Sequence, residues 1–350
     1  MEPPEDTAHR HVGFGLLTLG VSLVLCLVLA ETVARVLALG VTYQVGEHQI
    51  RLDPEVLYRN VPASSPELNH LGYREREFDR RKGHRNRVLF VGDSFLAAWG
   101  VPQPSMVTRV LERRLGDDHE VYSMGVSGYG PDQGLLRMLE EGFDYEPDRV
   151  VLALFAANDF NDLDKNDLFE LDPGGQLVRT DSNPVSRFLP PLRLFAFAQT
   201  IAGSGVHQQR ADELFQLLFH DTYDTLLDES APDAVRKIAL MRAVLSRFRD
   251  ESRLRGVSFA VAIIPSSWGI EGFGPPEARP TSAETAFRNE DLAEALCRSL
   301  DIPSVDLTDA LRGHPDQRLY LSDGHWSVAG HALAGQAIAE ALFARGSGRR

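Results

Sequence analysis

The chain has 350 residues, 43% hydrophobic and 25% charged, enough to bury a full core in one or two domains. Its net charge of −14 argues against nucleic acid as a partner, because that binding needs clustered Lys and Arg to displace counterions. The short cluster Arg80-Arg81-Lys82 reads as a solvated face, and the two cysteines, Cys26 and Cys297, do not read as a disulfide framework, since Cys26 lies inside an apolar run.

That run is the first element. Residues 12–30, VGFGLLTLGVSLVLCLVLA, are 19 residues without a charge. This is about the length a helix needs to cross a hydrocarbon layer of roughly 30 Å, and longer than a usual signal-peptide core. It predicts a membrane anchor over residues 1–41. A signal cleaved after Val28-Leu29-Ala30 is the alternative; a lipoprotein is disfavoured by Leu25 before Cys26. A buried core helix has no helical partner nearby in the sequence. Arg10 on one flank and Arg35 and Arg51 on the other do not fix the orientation.

Residues 42–85 are polar, with Pro54, Pro62 and Pro66, and read as an extended lead-in. Beyond it apolar runs alternate with helical patterns. Strands are predicted over 87–91, 119–124, 150–155, 257–264 and 302–307. Helices are predicted from Pro104 to Gly116 and over 131–141, 232–255, 284–300 and 327–344. In the first helix Val107, Val110, Leu111 and Leu115 share a face. In the long one Ile238, Met241, Leu245 and Phe248 do. The third strand is apolar throughout, as in a parallel strand covered on both faces. The alternation breaks over 160–233, which reads as an insertion bordering the site. Its Phe- and Leu-rich stretch, 188–197, suits core, with an acyl-binding or membrane-facing role left open. Strand–helix alternation predicts an α/β domain over 86–345 with a parallel sheet.

Four blocks carry the chemistry. Gly92-Asp93-Ser94 follows the first strand directly, placing a serine where open α/β sheets bind ligands. Gly125-Val126-Ser127-Gly128-Tyr129-Gly130-Pro131-Asp132-Gln133 follows the second strand, and its glycines can turn a backbone N–H into a site. Ala156-Ala157-Asn158-Asp159 follows the third. Asp323-Gly324-His325-Trp326 comes near the end of the chain. A serine hydroxyl needs a base to become a nucleophile, and His325 is a candidate base suited to proton transfer near neutral pH. Taken singly, each block also reads as ordinary structure: a helix cap at Asp93 or Ser94, a glycine-rich loop, a turn capped by Asn158 and Asp159, a satisfied histidine.

In this order the blocks resemble the SGNH (GDSL-type) hydrolase superfamily. The resemblance covers about residues 50–345 and the anchor. It implies a three-layer, flavodoxin-like fold and a serine esterase that forms an acyl-serine intermediate on a cell-envelope carbohydrate or lipid. The catalytic residues would be Ser94, Asp323 and His325. The oxyanion hole would be Ser94, Gly128 and Asn158. No metal or organic cofactor is implied. Two departures stand out: Ser123 replaces a common Asn, and Ala156 replaces a glycine. The Asp-x-His-Trp form, with Ser322 where many relatives have Asp, resembles a membrane-associated bacterial branch that includes alginate acetyltransferase-like proteins. Asn69-His70-Leu71-Gly72-Tyr73-Arg74, Trp99-Gly100-Val101 and residues 169–177 fit the same branch. By resemblance the large domain lies outside the cytoplasm. The alternatives are an O-acyltransferase of cell-surface polysaccharide and a non-catalytic polysaccharide-binding scaffold.

Competing sites fail on spacing. Asp162, Asp164 and Asn166 alternate as in a calcium loop, but Asp167 falls where Gly is needed and Pro173 where the bidentate Glu should be. His207, His220 and His331 lack metal-ligand spacing, and no phosphate or dinucleotide loop is present.

Overall fold

Strands β4 (Asn86–Gly92), β5 (His119–Gly125), β6 (Arg149–Phe155), β9 (Ser258–Ile264) and β10 (Ser304–Asp306) form one parallel sheet in the order β10-β9-β6-β4-β5. Numbered within the sheet, the spatial order is 2-1-3-4-5, the flavodoxin-like arrangement, whose ligand crevice opens where the order reverses, between β4 and β6. The computed structural model describes residues 5–36, 42–45, 48–181, 184–185, 188, 206–219, 230–274, 276, 279–280, 286–314 and 316–344.

The period of two decides what each face covers. Leu89, Val91, Val150, Leu152 and Leu154 point to one face and pack with α4 (Pro131–Glu140), α7 (Pro232–Leu254) and α9 (Arg288–Ser299). Val88, Phe90, Val151, Ala153 and Phe155 point to the other and pack with α3 (Val107–Leu115), α10 (Thr308–Arg312) and α11 (Val328–Phe343). Burial on both faces is why these strands are apolar without interruption. All five expected strands and the helices between them are present, with ends shifted by a few residues.

The lead-in is more structured than its polar composition suggests. Strands β1 (Thr42–Val45), β2 (His48–Asp53) and β3 (Leu57–Asn60) make an antiparallel sheet in that order. Tyr43, Ile50, Leu52, Val56, Leu57 and Tyr58 are buried and join the first of the two cores. Each strand is so short that its apolar positions are too few to show as a pattern.

Within 160–233, α5 (Asp159–Asn166) packs on α7, and a hairpin pairs β7 (Phe169–Leu171) with β8 (Leu177–Arg179). Then α6 (Val206–Phe219) lies against β1. Phe188 is buried; the rest of 188–197, with His220, lies outside the described residues. At the N-terminus α1 (Glu5–Val36) contains a 20-residue span, Phe14–Val33, long and apolar enough to cross a membrane, none of it buried.

Candidate active site

β5, β4 and β6 are adjacent, so the three blocks that follow them meet at one edge of the sheet. After Gly92 the chain turns sharply. Asp93 caps the short helix α2 (Ser94–Ala97), its Oδ1 accepting the Phe95 N–H at 2.9 Å. Ser94 is thus the first residue of a one-turn helix that ends at Ala98, in the left-handed region at φ 52°. Such a residue leaves carbonyls to satisfy, and Arg74 satisfies them. Its buried guanidinium donates to the carbonyls of Ala97 at 3.2 Å, of Ala98, and of Val101 at 2.8 Å. The underside of α2 sits on Gly125, where a Cβ would lie 2.3 Å from Leu96 Cβ and 2.7 Å from the Ala97 nitrogen. Ser123 Oγ accepts the Gly125 N–H at 3.2 Å and donates to the Leu96 carbonyl at 3.3 Å. Ser123 therefore ties this loop to the nucleophile turn.

His325 reaches the same turn from 231 residues away, its Nε2 2.8 Å from Ser94 Oγ. It sits in a tight loop closed by a Tyr320–Trp326 bridge and by the Leu321 N–H donating to the His325 carbonyl at 2.7 Å. Phe95 seats the imidazole, ring centres 5.2 Å apart, and meets buried Trp326 edge-on at 5.0 Å. Asp323 stands behind: one oxygen accepts the His325 backbone N–H at 3.1 Å, the other lies 3.3 Å from Nδ1. That contact with His325 lowers the Asp323 carboxyl below its ordinary value. Ser322 and Asp316 are exposed.

Gly128 lies in the turn after β5 with φ +77°, a region L side chains rarely adopt. Among the described residues, neither its N–H nor that of Ser94 donates to a protein group. Asn158 is buried at the start of α5. Asp159 holds the turn before it, Oδ2 accepting the Phe155 N–H at 2.8 Å. Burial, then the nearby Asp93 charge, pushes the Asp159 carboxyl well above the usual carboxylate range. Asn289 steadies the same turn from α9, donating to the Ala156 carbonyl at 2.9 Å. With that support, alanine at 156 leaves the turn formed.

The remaining candidates resolve as structure. Asp162, Asp164 and Asn166 lie on the helix α5, not in a loop, and Asp162 pairs with Lys165 at 2.6 Å. His331 is buried on α11 with Nδ1 accepting the Val107 N–H at 3.2 Å; burial pushes its pKa down to about 3. Gln133, the last residue of the second block, braces the site by donating its amide to the Val56 carbonyl at 2.7 Å; two further residues that brace it were not singled out from the sequence: Tyr58, whose hydroxyl donates to the Ser127 carbonyl at 2.5 Å, and Glu75, which accepts the Ser123 N–H at 3.0 Å. Arg74 had a signal, in the Asn-x-x-Gly-Tyr-Arg run; Tyr58 had none.

No curated protein matches the chain in sequence. Solved structures are similar to it only at long distance. TesA is 18% identical, covering 74% of this chain and 98% of its own, with a TM-score of 0.41. The psychrotrophic esterase EstA from Pseudoalteromonas sp. is 13% identical, covering 73% and 96%, with a TM-score of 0.38. The acetylxylan esterase Axe2 from Geobacillus stearothermophilus, in a variant form, is 16% identical, covering 77% and 99%, with a TM-score of 0.41. The family itself is established by sequence: the profile of the GDSL-like Lipase/Acylhydrolase family matches residues 90–333, a stretch that begins inside β4 and runs past His325. The chain therefore belongs to the GDSL-like lipase/acylhydrolase family of ester-bond hydrolases.

Proposed function

We propose that the chain is a serine esterase in which Ser94 is the nucleophile, His325 the general base and Asp323 the group that orients it. One observation carries this reading: the Ser94 Oγ to His325 Nε2 contact of 2.8 Å, with Asp323 on the opposite ring nitrogen. His325 takes the Ser94 proton as Oγ attacks the acyl carbonyl. The resulting oxyanion is met by the Ser94 and Gly128 N–H groups and the Asn158 amide, and such a donor is commonly worth about 10²–10³ in turnover. His325 then gives its proton to the departing alcohol. Water, deprotonated by His325, attacks the acyl-serine and releases the acid and Ser94. Asp323 fixes the tautomer and stabilises the imidazolium. No step calls on a cofactor.

The substrate in this reading is an O-acyl ester of a cell-envelope carbohydrate or lipid, and α1 anchors the catalytic domain outside the cytoplasm. The exposed apolar face of Phe14–Val33 supports the anchor. An O-acyltransferase would share the acyl-serine and differ only in the acceptor. The test is to incubate the purified protein with an acyl donor, with and without a glycan acceptor, and follow both free acid and acylated glycan. Free acid in both reactions supports the esterase. Acylated glycan at the expense of acid makes it a transferase. Neither product from correctly folded protein leaves a binding scaffold and overturns both enzymatic readings.

A further inference from the structure

We propose that Tyr58 is a positioning residue for the oxyanion hole, its phenol holding the Ser127–Gly128 peptide so that the Gly128 N–H faces the developing oxyanion. This rests on the reading of Gly128 as an oxyanion donor.

In a trans peptide the carbonyl and the N–H of one unit point in opposite directions. Whatever fixes the Ser127 carbonyl therefore aims the Gly128 N–H. Tyr58 Oη donates to that carbonyl at 2.5 Å. An external hold is needed, because glycine occupies positive and negative φ with similar ease and its peptide can reorient. The Gly128 N–H has no protein acceptor among the described residues to lock it from the other side. The bond also polarises the amide, which makes the N–H a better donor to an anion.

Tyr58 is itself held. It is buried, with its ring edge-on to Tyr129 at 5.2 Å and tilted against Phe219 at 5.0 Å. The attachment is reciprocal: Tyr129 Oη donates to the Tyr58 carbonyl at 2.5 Å, and Gln133 donates to the Val56 carbonyl at 2.7 Å. A strand and a loop 69 residues apart in sequence are thus clamped at several points around one peptide. The close approach leaves no room for error. A Cβ on Gly128 would stand 2.8 Å from Tyr58 Oη and 3.1 Å from Phe219 Cδ1. Tyr58 belongs to the lead-in, outside the residues 90–333 that match the family.

The experiment uses the full-length protein, with rates expressed per site by titrating Ser94 with a fluorophosphonate, and per mole of protein for Ser94→Ala. Each variant is assayed on an ester and on the matching thionoester, whose sulfur anion accepts hydrogen bonds poorly. Tyr58→Phe keeps the ring and removes the donor. It is expected to lower kcat on the ester about 10- to 100-fold, with KM nearly unchanged, and to lower the ester-to-thionoester ratio by a similar factor. A lowered melting temperature with a wild-type per-site rate and ratio means a structural role and overturns the proposal. If Tyr58→Phe does not fold, 3-fluorotyrosine at position 58, a stronger donor of nearly the same shape, decides. A raised acylation rate on the ester supports the proposal, and an unchanged one overturns it. Asn158→Ala and Ser94→Ala separate the two levels of failure. If Asn158→Ala lowers the ratio and Tyr58→Phe does not, the positioning role alone is wrong. If Ser94→Ala keeps full activity, the reading of the whole site is wrong.

Discussion

Asp323 reaches His325 across two residues because Gly324, at φ +88°, bends the chain between them. The carboxylate spans the backbone N–H and Nδ1 of the same histidine, so the turn and the orienting contact are one construction. Asp323→Asn is expected to keep the fold and lose roughly 10³–10⁴ in turnover, as when an orienting acid no longer fixes the tautomer. Asp316→Asn should turn over like the wild type, and the reverse pattern would reassign the acid. Asn158→Ala should cost about 10²-fold in kcat with substrate binding little changed. Full turnover in that variant, with only its melting temperature lowered, would make Asn158 a structural residue. Ser94 and Asn158 stand out as candidates in sequence because strand, turn and polar residue follow one another within a few positions, whereas His325 stands out only through its Asp-x-His-Trp block. Tyr58 does not, because what it does depends on a carbonyl 69 residues away, and a carbonyl leaves no mark in sequence.

At the scale of elements, the site is an assembly of turns held from outside the sheet. α2 is one turn long and cannot be stable alone. Arg74 ties down its last carbonyls, and Gly125 lets it sit directly on β5. Gly125→Ala would drive a methyl group into Leu96 and the Ala97 nitrogen, both close to the chain atoms that place Ser94. It is expected to lose about 1–3 kcal/mol of stability and to slow fluorophosphonate labelling of Ser94 by more than tenfold. Wild-type melting and labelling rates would show that α2 has slack it should not have. The five strands of the parallel sheet and their helices could be read from apolar runs and 3.6-residue spacing. The three-strand sheet of the lead-in could not. Thr42–Val45 and Leu57–Asn60 are four residues each, and their burial comes from contacts with α6 and with the loop after β5. Tertiary packing, not local preference, makes them strands.

Across the whole molecule, several carboxyls are buried far from water. Burial pushes Asp132 up to about 7 and Glu290 up to about 8. Each is protonated in the folded state at a pH where the unfolded chain has already released its proton. Their contribution to stability is therefore complete below about pH 4 and is lost as pH rises toward 7 or 8. Glu290→Gln keeps an acceptor for the Ser266 N–H and removes the titration. Between pH 5 and 8 its melting temperature should fall less than that of the wild type. Parallel curves would mean that Glu290 ionises without cost.

Only residues 37–41 separate Val36 from Thr42, and five residues with their flanking bonds span about 20 Å when fully drawn out. From β1 the sheet needs two strand spacings, about 10 Å, to arrive at β3 and the Gly128 loop. In the anchored reading this is a short leash. It raises the local concentration of esters that share the bilayer and gives no such advantage with esters free in solution. Lengthening the leash with twenty Gly and Ser residues should leave turnover of a soluble ester unchanged and reduce turnover of a vesicle-borne one. The length of that connector, more than any pocket residue, would then decide which esters the enzyme meets.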